Sequence, residues 1–166
     1  MNPYEIRPGA DLSGANFSNL DFYEVFGLKG INGGPGANLQ RCLFKNANLH
    51  ASRHYHSDFL GADLTGCDMS ETYCFETLFG RRDARESESP AILLNTNFEG
   101  AYLGGSNLGG VNASGASFIG TNLEGADLSD ADFSGANFFG ANMTGVIVNE
   151  GTSLHGSIRP DGSIWE

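Results

Sequence analysis

The sequence predicts an all-β solenoid, and three observations lead to this fold class. First, a unit of five residues recurs five times between Thr121 and Gly145. Second, each unit carries a small residue and a large apolar residue two positions apart, which face the same side of a short extended segment. Third, most units end in glycine, which tolerates the positive φ of a tight turn. Short segments that turn repeatedly in one sense form coils, and stacked coils form a solenoid.

The five-residue period excludes the ordinary secondary-structure elements. On an α-helix, a step of five residues rotates the side chain by about 140°, so the large apolar residues would spread around every face. On a continuous strand, an odd step sends successive large residues to opposite faces. We call the large apolar residue the centre of its unit. In this stretch the centres are Leu123, Leu128, Phe133, Phe138 and Met143.

The repeated pattern Ala-Asp/Asn-Leu/Phe-x-Gly resembles that of the pentapeptide-repeat proteins, and the resemblance covers most of the 166 residues. It implies a right-handed quadrilateral β-helix with four units in each coil. Residues that stack on one another in neighbouring coils are then expected to be twenty positions apart, and the chain is long enough for about six coils.

The repeat blocks and the interruptions between them suggest how the chain 1–166 is organised as a single domain. Units run in unbroken phase from Ala37 to Arg81 and again from Ala91 to about Val148. The remaining segments do not fit the inward positions of a coil. They are expected to form an N-terminal cap at 1–9, inserted loops at 25–36 and 81–90, and a C-terminal cap at 151–166.

Composition narrows the functional classes. The net charge of −11 and the pI near 4.6 argue against direct nucleic-acid binding, because phosphate contacts need Lys and Arg. The sequence shows no apolar leader and no run long enough to cross a membrane, so no membrane partner and a cytoplasmic location are expected. The thiols Cys42, Cys67 and Cys74 show no zinc-ligand spacing and belong to no secreted disulfide framework, so neither a metal nor a cofactor is expected.

Two irregular units, 52–56 and 72–76, depart from the pattern and are twenty residues apart. Their outward side chains are therefore expected to stack in pairs. Exposed aromatic and arginine side chains favour protein interfaces. The alternative is that these side chains pack beneath the loop 25–36 or the loop 81–90. With the charges of the second loop added, the predicted protein-binding patch consists of Arg53, Tyr55, His56, Tyr73, Phe75, Glu76, Arg81, Arg82 and Arg85.

The same two units place His54 in register with Cys74, which raises the question of a Cys–His nucleophile. Such a pair needs a reachable thiolate and an oriented imidazole. Both residues occupy centre positions, which point into the coil. We therefore expect a buried histidine that hydrogen-bonds to Ser52 or to the backbone, and no enzyme activity.

The favoured function is a non-catalytic protein-interaction or scaffold module whose partner is unknown, acting as a monomer or as a weak dimer through solenoid ends. The alternative comes from the family, some members of which mimic DNA and inhibit or protect DNA gyrase. Six carboxylates and no Lys or Arg between 91 and 150 favour mimicry. The expected columns of stacked residues never place acid on acid, which disfavours it. The style of repeat also resembles that of cyanobacterial members of the family, which hints at a bacterial source.

Overall fold

The computed structural model describes residues 14–18, 38–81 and 89–166. Within these residues there is neither a helix nor an extended strand; the β-structure consists of isolated bridges between single residues of neighbouring coils. The bridges form four columns, so each coil has four faces. The columns are Asn38–Asp58–Leu78–Asn107–Asp127–Ile147 on face A, Asn16–Leu43–Asp63–Ile92–Asn112–Asp132–Ser153 on face B, Asn48–Asp68–Asn97–Ser117–Asn137–Ile158 on face C, and Arg53–Tyr73–Tyr102–Asn122–Asn142 on face D.

Backbone hydrogen bonds join each face to the next coil. On face D, the Leu103 amide donates to the Asn122 carbonyl at 2.7 Å, and the Asn122 amide donates to the Ala101 carbonyl at 2.9 Å. The Gly105 amide at the adjoining corner donates to the Glu124 carbonyl at 2.8 Å. This pattern recurs around the coil, so stacking satisfies the backbone groups that a short extended segment would otherwise leave unpaired.

A tight turn separates each face from the next. After the centre Leu123, Gly125 has φ 67° and the Ala126 amide donates to the Leu123 carbonyl at 2.9 Å, which is the pattern of a type II turn. Glycine suits the positive-φ position because it has no Cβ. Eight other residues adopt φ between 51° and 57° at the same position, namely Arg41, Asn46, Ala51, His56, Glu71, Glu76, Asn95 and Asp130.

The Asp or Asn before each centre has a local structural role. The Asp127 carboxylate accepts a hydrogen bond from the Ser129 amide at 3.0 Å, and the Asn122 side chain accepts one from the Glu124 amide at 3.0 Å. This Asx turn fixes the chain as it enters the corner. Many of the acidic side chains on the faces therefore act in the turns of their own units.

The small residues and the centres of the repeat fill the interior, where alanines and large apolar side chains are almost completely buried. Phe98, Phe118 and Phe138 stack in one column, with ring centroids 5.2 and 5.0 Å apart. The Trp165 ring closes this column, perpendicular to that of Phe138 and with the ring centroids 5.9 Å apart. Stacked aromatic rings along the axis contribute both apolar burial and favourable ring geometry.

An insertion of nine residues interrupts the coil after Arg81. Bridged residues between Asn38 and Leu78 are 20 positions apart, as in Asp58–Leu78, but those across the insertion are 29 apart, as in Asp63–Ile92. Arg81 keeps its place in the coil, since its amide donates to the Gly109 carbonyl at 3.0 Å. The loop expected at 81–90 thus leaves the coil one residue later. The expected N-terminal cap at 1–9, the expected loop 25–36 and the segment 82–88 lie outside the described residues.

The coil continues further towards the C-terminus than the sequence pattern indicates. Ser153 and Ile158 still pair with the preceding coil, but 21 residues separate each from its partner, Asp132 or Asn137. One extra residue near Asn149 shifts the phase, which hides these two units from a strict five-residue count. The chain then reverses, and Ile164 pairs antiparallel with Ile158. The segment expected as a cap at 151–166 therefore begins as coil and caps only at its end.

Candidate protein-binding surface

Face D begins with a stacked column in place of the usual Asp or Asn. The rings of Tyr73 and Tyr102 are nearly parallel, with an interplanar angle of 6° and centroids 4.8 Å apart. The Arg53 guanidinium lies 5.6 Å from the centroid of Tyr73. Asn122 and Asn142 continue the column, joined by a hydrogen bond of 3.2 Å between their side chains. The face therefore changes from cationic and aromatic to amide along the solenoid axis.

The corner between faces D and A widens this aromatic surface. The Tyr55 ring lies 6.1 Å from that of Tyr73, and Phe75 is 46% exposed. Phe75 lies close to Gly104, where an added Cβ would come within 3.3 Å of its ring. We call Tyr55, Tyr73, Phe75 and Tyr102 the aromatic cluster.

A groove runs along the other side of the Tyr73–Tyr102 column. Its volume is about 370 Å³, within the range of roughly 300–1,000 Å³ of small-molecule pockets. The turn residues of the corner between faces C and D form the opposite wall, and two of the three carry little or no side chain. The groove is lined by Ala51, Arg53, Glu71, Tyr73, Gly100 and Tyr102.

Carboxylates stand on both corners beside face D. Glu71 and Glu99 belong to the corner between faces C and D, and Glu76 and Glu124 to the corner between faces D and A. The His56 Nδ1 lies 3.3 Å from a carboxylate oxygen of Glu76. The aromatic cluster is therefore an apolar strip with acidic borders, which agrees with the net charge of −11.

His54 lies beneath this surface, inside the coil. Its Nε2 and the Ser52 hydroxyl share a hydrogen bond of 2.7 Å, and its ring meets the Phe59 ring edge-on at 5.3 Å. Burial lowers the pKa of His54 to about 4, because the interior disfavours the charged imidazolium. The imidazole is therefore neutral at pH 7 and helps to fill the core.

The neighbouring thiols of Cys67 and Cys74 are also buried. Burial raises the pKa of Cys74 to about 12, and the Thr72 hydroxyl lies 3.5 Å from its sulfur. Burial also raises the pKa of Cys67. A protonated thiol shielded from solvent is a poor nucleophile and a poor metal ligand. Among the described residues, no group of three or more His, Cys, Asp or Glu side chains is placed to hold a metal ion.

The structure brings six of the nine predicted patch residues together. Arg53 pairs with Tyr73 on face D, and Tyr55 and His56 stand above Phe75 and Glu76 at the corner, where the His56 amide donates to the Phe75 carbonyl at 3.2 Å.

Three predicted residues do not join them. Arg81 belongs to the corner between faces A and B, on the far side of face A, and its carbonyl accepts a hydrogen bond of 2.8 Å from Asn107. Arg81 does not join the cluster because the insertion follows the corner between faces A and B, whereas the cluster lies on face D and the corner between faces D and A. Arg82 and Arg85 lie outside the described residues.

Sequence reasoning missed Tyr102, which is 47% exposed and extends the column by one coil. The signal was available in the spacing of the centres. The centres Phe79 and Leu93 are fourteen residues apart, which is one five-residue step plus nine inserted residues. Neighbouring coils on either side of the insertion are therefore 29 residues apart, and this distance aligns Tyr73 with Tyr102.

The family follows from the repeat and from a direct comparison. The family of pentapeptide repeats matches the chain in eight copies, over residues 35–70, 91–130 and 106–145, which is more than half of its length. The chain belongs to the pentapeptide-repeat family. Membership confirms the predicted right-handed quadrilateral β-helix.

Solved structures of other pentapeptide-repeat proteins overlap with most of this chain. QnrB1, a plasmid-mediated fluoroquinolone resistance protein, is 14% identical at a TM-score of 0.44, covering 92% of this chain and 80% of its own. Rfr23 from the cyanobacterium Cyanothece is 25% identical at 0.28, with 90% of both chains covered. HetL from the cyanobacterium Nostoc, involved in the regulation of heterocyst differentiation, is 18% identical at 0.28, covering 99% of this chain and 94% of its own.

These likenesses carry no information about the partner of this chain, since every TM-score is below 0.5. Curated protein sequences give no match. None of the described segments forms an apolar helix of membrane-spanning length.

Proposed function

We propose that this protein is a non-catalytic interaction module that recognises a partner protein through the aromatic cluster of face D and its adjoining corner. The observation that carries the proposal is the stacked column of the half-buried Arg53 and Tyr73 with the exposed Tyr102, flanked by the exposed Phe75. Large aromatic side chains and arginine dominate the binding energy of protein interfaces. A rigid coil presents them at little cost in backbone entropy.

The cluster replaces residues that the fold itself prefers. At the position of Tyr102, Asn122 and Asn142 in the following coils make the Asx turn that stabilises the unit. Tyr73 and Tyr102 cannot make that bond, so the fold loses a local hydrogen bond at each and exposes apolar surface instead. Departures of this kind from a repeat are typical of functional surfaces.

The absence of catalysis is part of the proposal. The two groups most suited to nucleophilic chemistry, His54 and Cys74, are buried and neutral at pH 7. The groove on face D contains no nucleophile paired with a base, because its polar members are Arg53, Glu71 and the two phenols. Its chemistry suits binding.

Mimicry of DNA towards gyrase is the second candidate, favoured by the six carboxylates between 91 and 150. Against it stands the role of those groups in the fold. Asp127 and Asp132 accept the turn hydrogen bonds of their own units, and Asp130 accepts one from Asn149 at 2.9 Å. In the bridge columns their neighbours are Asn, Ile and Ser, so acid does not repeat at regular spacing along a face.

The test compares three forms of the immobilised protein in an extract of its native host. Tyr73→Asn/Phe75→Thr removes the centre of the cluster but uses residue types that the same columns contain at Asn122 and Thr144. Ile92→Asn is the control, since it removes an exposed apolar residue from the opposite face B.

The proposal predicts a protein captured by the wild type and the Ile92 variant but lost from the double variant. A partner that all three forms retain equally would contradict it. If that partner were a type II topoisomerase, the mimicry candidate would be favoured.

The same proposal includes a cytoplasmic location and a bacterial source. It also includes a monomeric protein, or one that forms a weak dimer through its solenoid ends. The buried thiols of Cys67 and Cys74, which form no disulfide, support a reducing compartment.

A further inference from the structure

We propose that the groove on face D receives a cationic side chain, arginine or lysine, from an exposed segment of the partner protein. The inference rests on the proposed function and adds the chemistry of the contact. Its basis is a stacked aromatic wall that faces a carboxylate across an open groove, with further carboxylates on both sides.

The stack already binds one guanidinium within the chain. Arg53 lies over one end of the Tyr73–Tyr102 pair, where its positive charge faces the electron-rich ring of Tyr73. Tyr102 forms the other end and is nearly half exposed. Among the described residues, no cation is recorded over the Tyr102 ring. The same attraction is therefore available there to a cation from outside.

The surrounding charges select a cation over an anion. Glu71 lines the groove itself. Glu99 adjoins Gly100 on the same wall, and Glu124 stands at the corner on the other side of Tyr102 in the next coil. Arg53 is two coils away from Tyr102 along the column, and among the described residues face D carries no other Lys or Arg, so the carboxylates dominate the charge at the Tyr102 end. An acidic partner would be repelled there, whereas a basic one would be steered in.

The shape of the groove suits a long side chain. The wall opposite the tyrosines is formed at Ala51 and Gly100, which leave room for a chain lying along the rings. The same corner continues with Gly120, where even an added Cβ would meet nothing within 4 Å. The aliphatic stem of an arginine or lysine can lie along this corner while its head reaches the Tyr102 ring and the Glu71 carboxylate.

The experiment is an NMR titration that follows the ring signals of the tyrosines at low salt. The probe is the peptide acetyl-Gly-Arg-Gly-amide, and its citrulline counterpart provides the same shape without charge. The variants are Tyr102→Asn and Glu71→Gln. Glu150→Gln removes one carboxylate from the exposed end of the coil, away from face D, and controls for net charge.

The arginine peptide is expected to shift the Tyr102 signals and to bind the wild type and Glu150→Gln equally. Tyr102→Asn should weaken binding roughly fivefold through loss of the cation–π contact. Glu71→Gln should weaken it roughly two- to fivefold through loss of an exposed ion pair. The citrulline peptide should bind more weakly than the arginine peptide to every form that retains Tyr102.

Equal binding of the two peptides, or no arginine-dependent shift at Tyr102, would overturn the inference. So would an equal loss of affinity in Glu150→Gln and Glu71→Gln, since binding would then follow net charge alone. These outcomes leave the proposed function standing if the Tyr73/Phe75 variant still loses its partner. Conversely, if the Tyr73/Phe75 variant captured the partner as well as the wild type does, the proposed function would be refuted, regardless of the result of the peptide titration.

Discussion

The buried His54 should make the stability of the protein depend on pH in a defined window. The pKa of His54 is about 4 in the folded state, against 6.5 in an unfolded chain. Between these values the unfolded chain binds a proton that the folded chain does not, so folding is disfavoured as pH falls. The contribution of neutral His54 is fully present above pH 6.5 and is lost as pH falls through 4. Its full size is about 3 kcal/mol of unfolding free energy.

Replacing His54 with leucine isolates this contribution. Leu103 and Leu123 are the centres of units on the same face in later coils, so leucine fits the position. The substitution leaves the Ser52 hydroxyl without its imidazole partner. Ser106 occupies the equivalent small position with no hydrogen-bond partner for its hydroxyl, which shows that the coil tolerates this arrangement. His155→Gln, at an exposed site, serves as the control.

Urea unfolding at several pH values between 7 and 4 measures the effect. The wild type and His155→Gln should lose about 3 kcal/mol more than His54→Leu over this range. Burial raises the pKa of Asp63, but hydrogen bonds from Thr65 and the nearby Lys45 outweigh it, and hydrogen bonds from Ser134 lower the pKa of Asp132. The contributions of these two carboxylates are lost only as pH falls through pKa values below the ordinary carboxyl range, and equally in all three proteins. Identical pH profiles for His54→Leu and the wild type would refute a buried neutral imidazole.

Three further predictions concern the coil, each measured by thermal or urea unfolding. Gly80→Ala should destabilise the protein by more than about 3 kcal/mol, because the added Cβ would lie 2.2 Å from a backbone nitrogen of the next coil. Gly120→Ala is the control and should cost only about 1 kcal/mol, because Gly120 has φ +62° but open space around it. Equal losses in the two variants would contradict this packing. Ala51→Gly, at φ 57°, should stabilise by up to about 1 kcal/mol, whereas a loss would argue against the positive φ. Trp165→Ala should cost about 2 kcal/mol by uncovering the end of the phenylalanine column, and unchanged stability would mean that the cap does not close the core.

The coil could be predicted from the sequence because each position of the five-residue repeat has one physical role. The small residue and the centre point inward, the Asp or Asn makes the turn bond, and the fifth residue takes positive φ. The twenty-residue register followed from four such units per coil. It aligned Asn107 with Asp127 and Tyr102 with Asn122, as the bridges show. The buried position of His54 and its contact with Ser52 followed from the same phase.

The candidate site was only partly predictable because insertions shift that phase. Tyr73 and Tyr102 are 29 positions apart because of the nine-residue insertion, so a twenty-residue register does not identify Tyr102 as the third member of the column. One extra residue near Asn149 hid the last two units of the coil in the same way. Proximity in sequence predicts that Arg81 lies with the cluster, whereas the turn after Phe79 places it on the far side of face A. Residues that are close in sequence can lie on different faces of a four-sided coil, so proximity in sequence does not predict proximity in space.

The alignment of Arg53, Tyr73 and Tyr102 is the claim on which the binding surface depends, and one NMR measurement tests it directly. With the tyrosine rings selectively labelled, proton–proton NOEs should connect Tyr73 to Tyr102, whose centroids are 4.8 Å apart, and should disappear in Tyr102→Asn. If Tyr73 shows NOEs to residues of another face and none to Tyr102, the insertion does not add nine residues. The column, the groove and the proposed cation contact would then all be wrong.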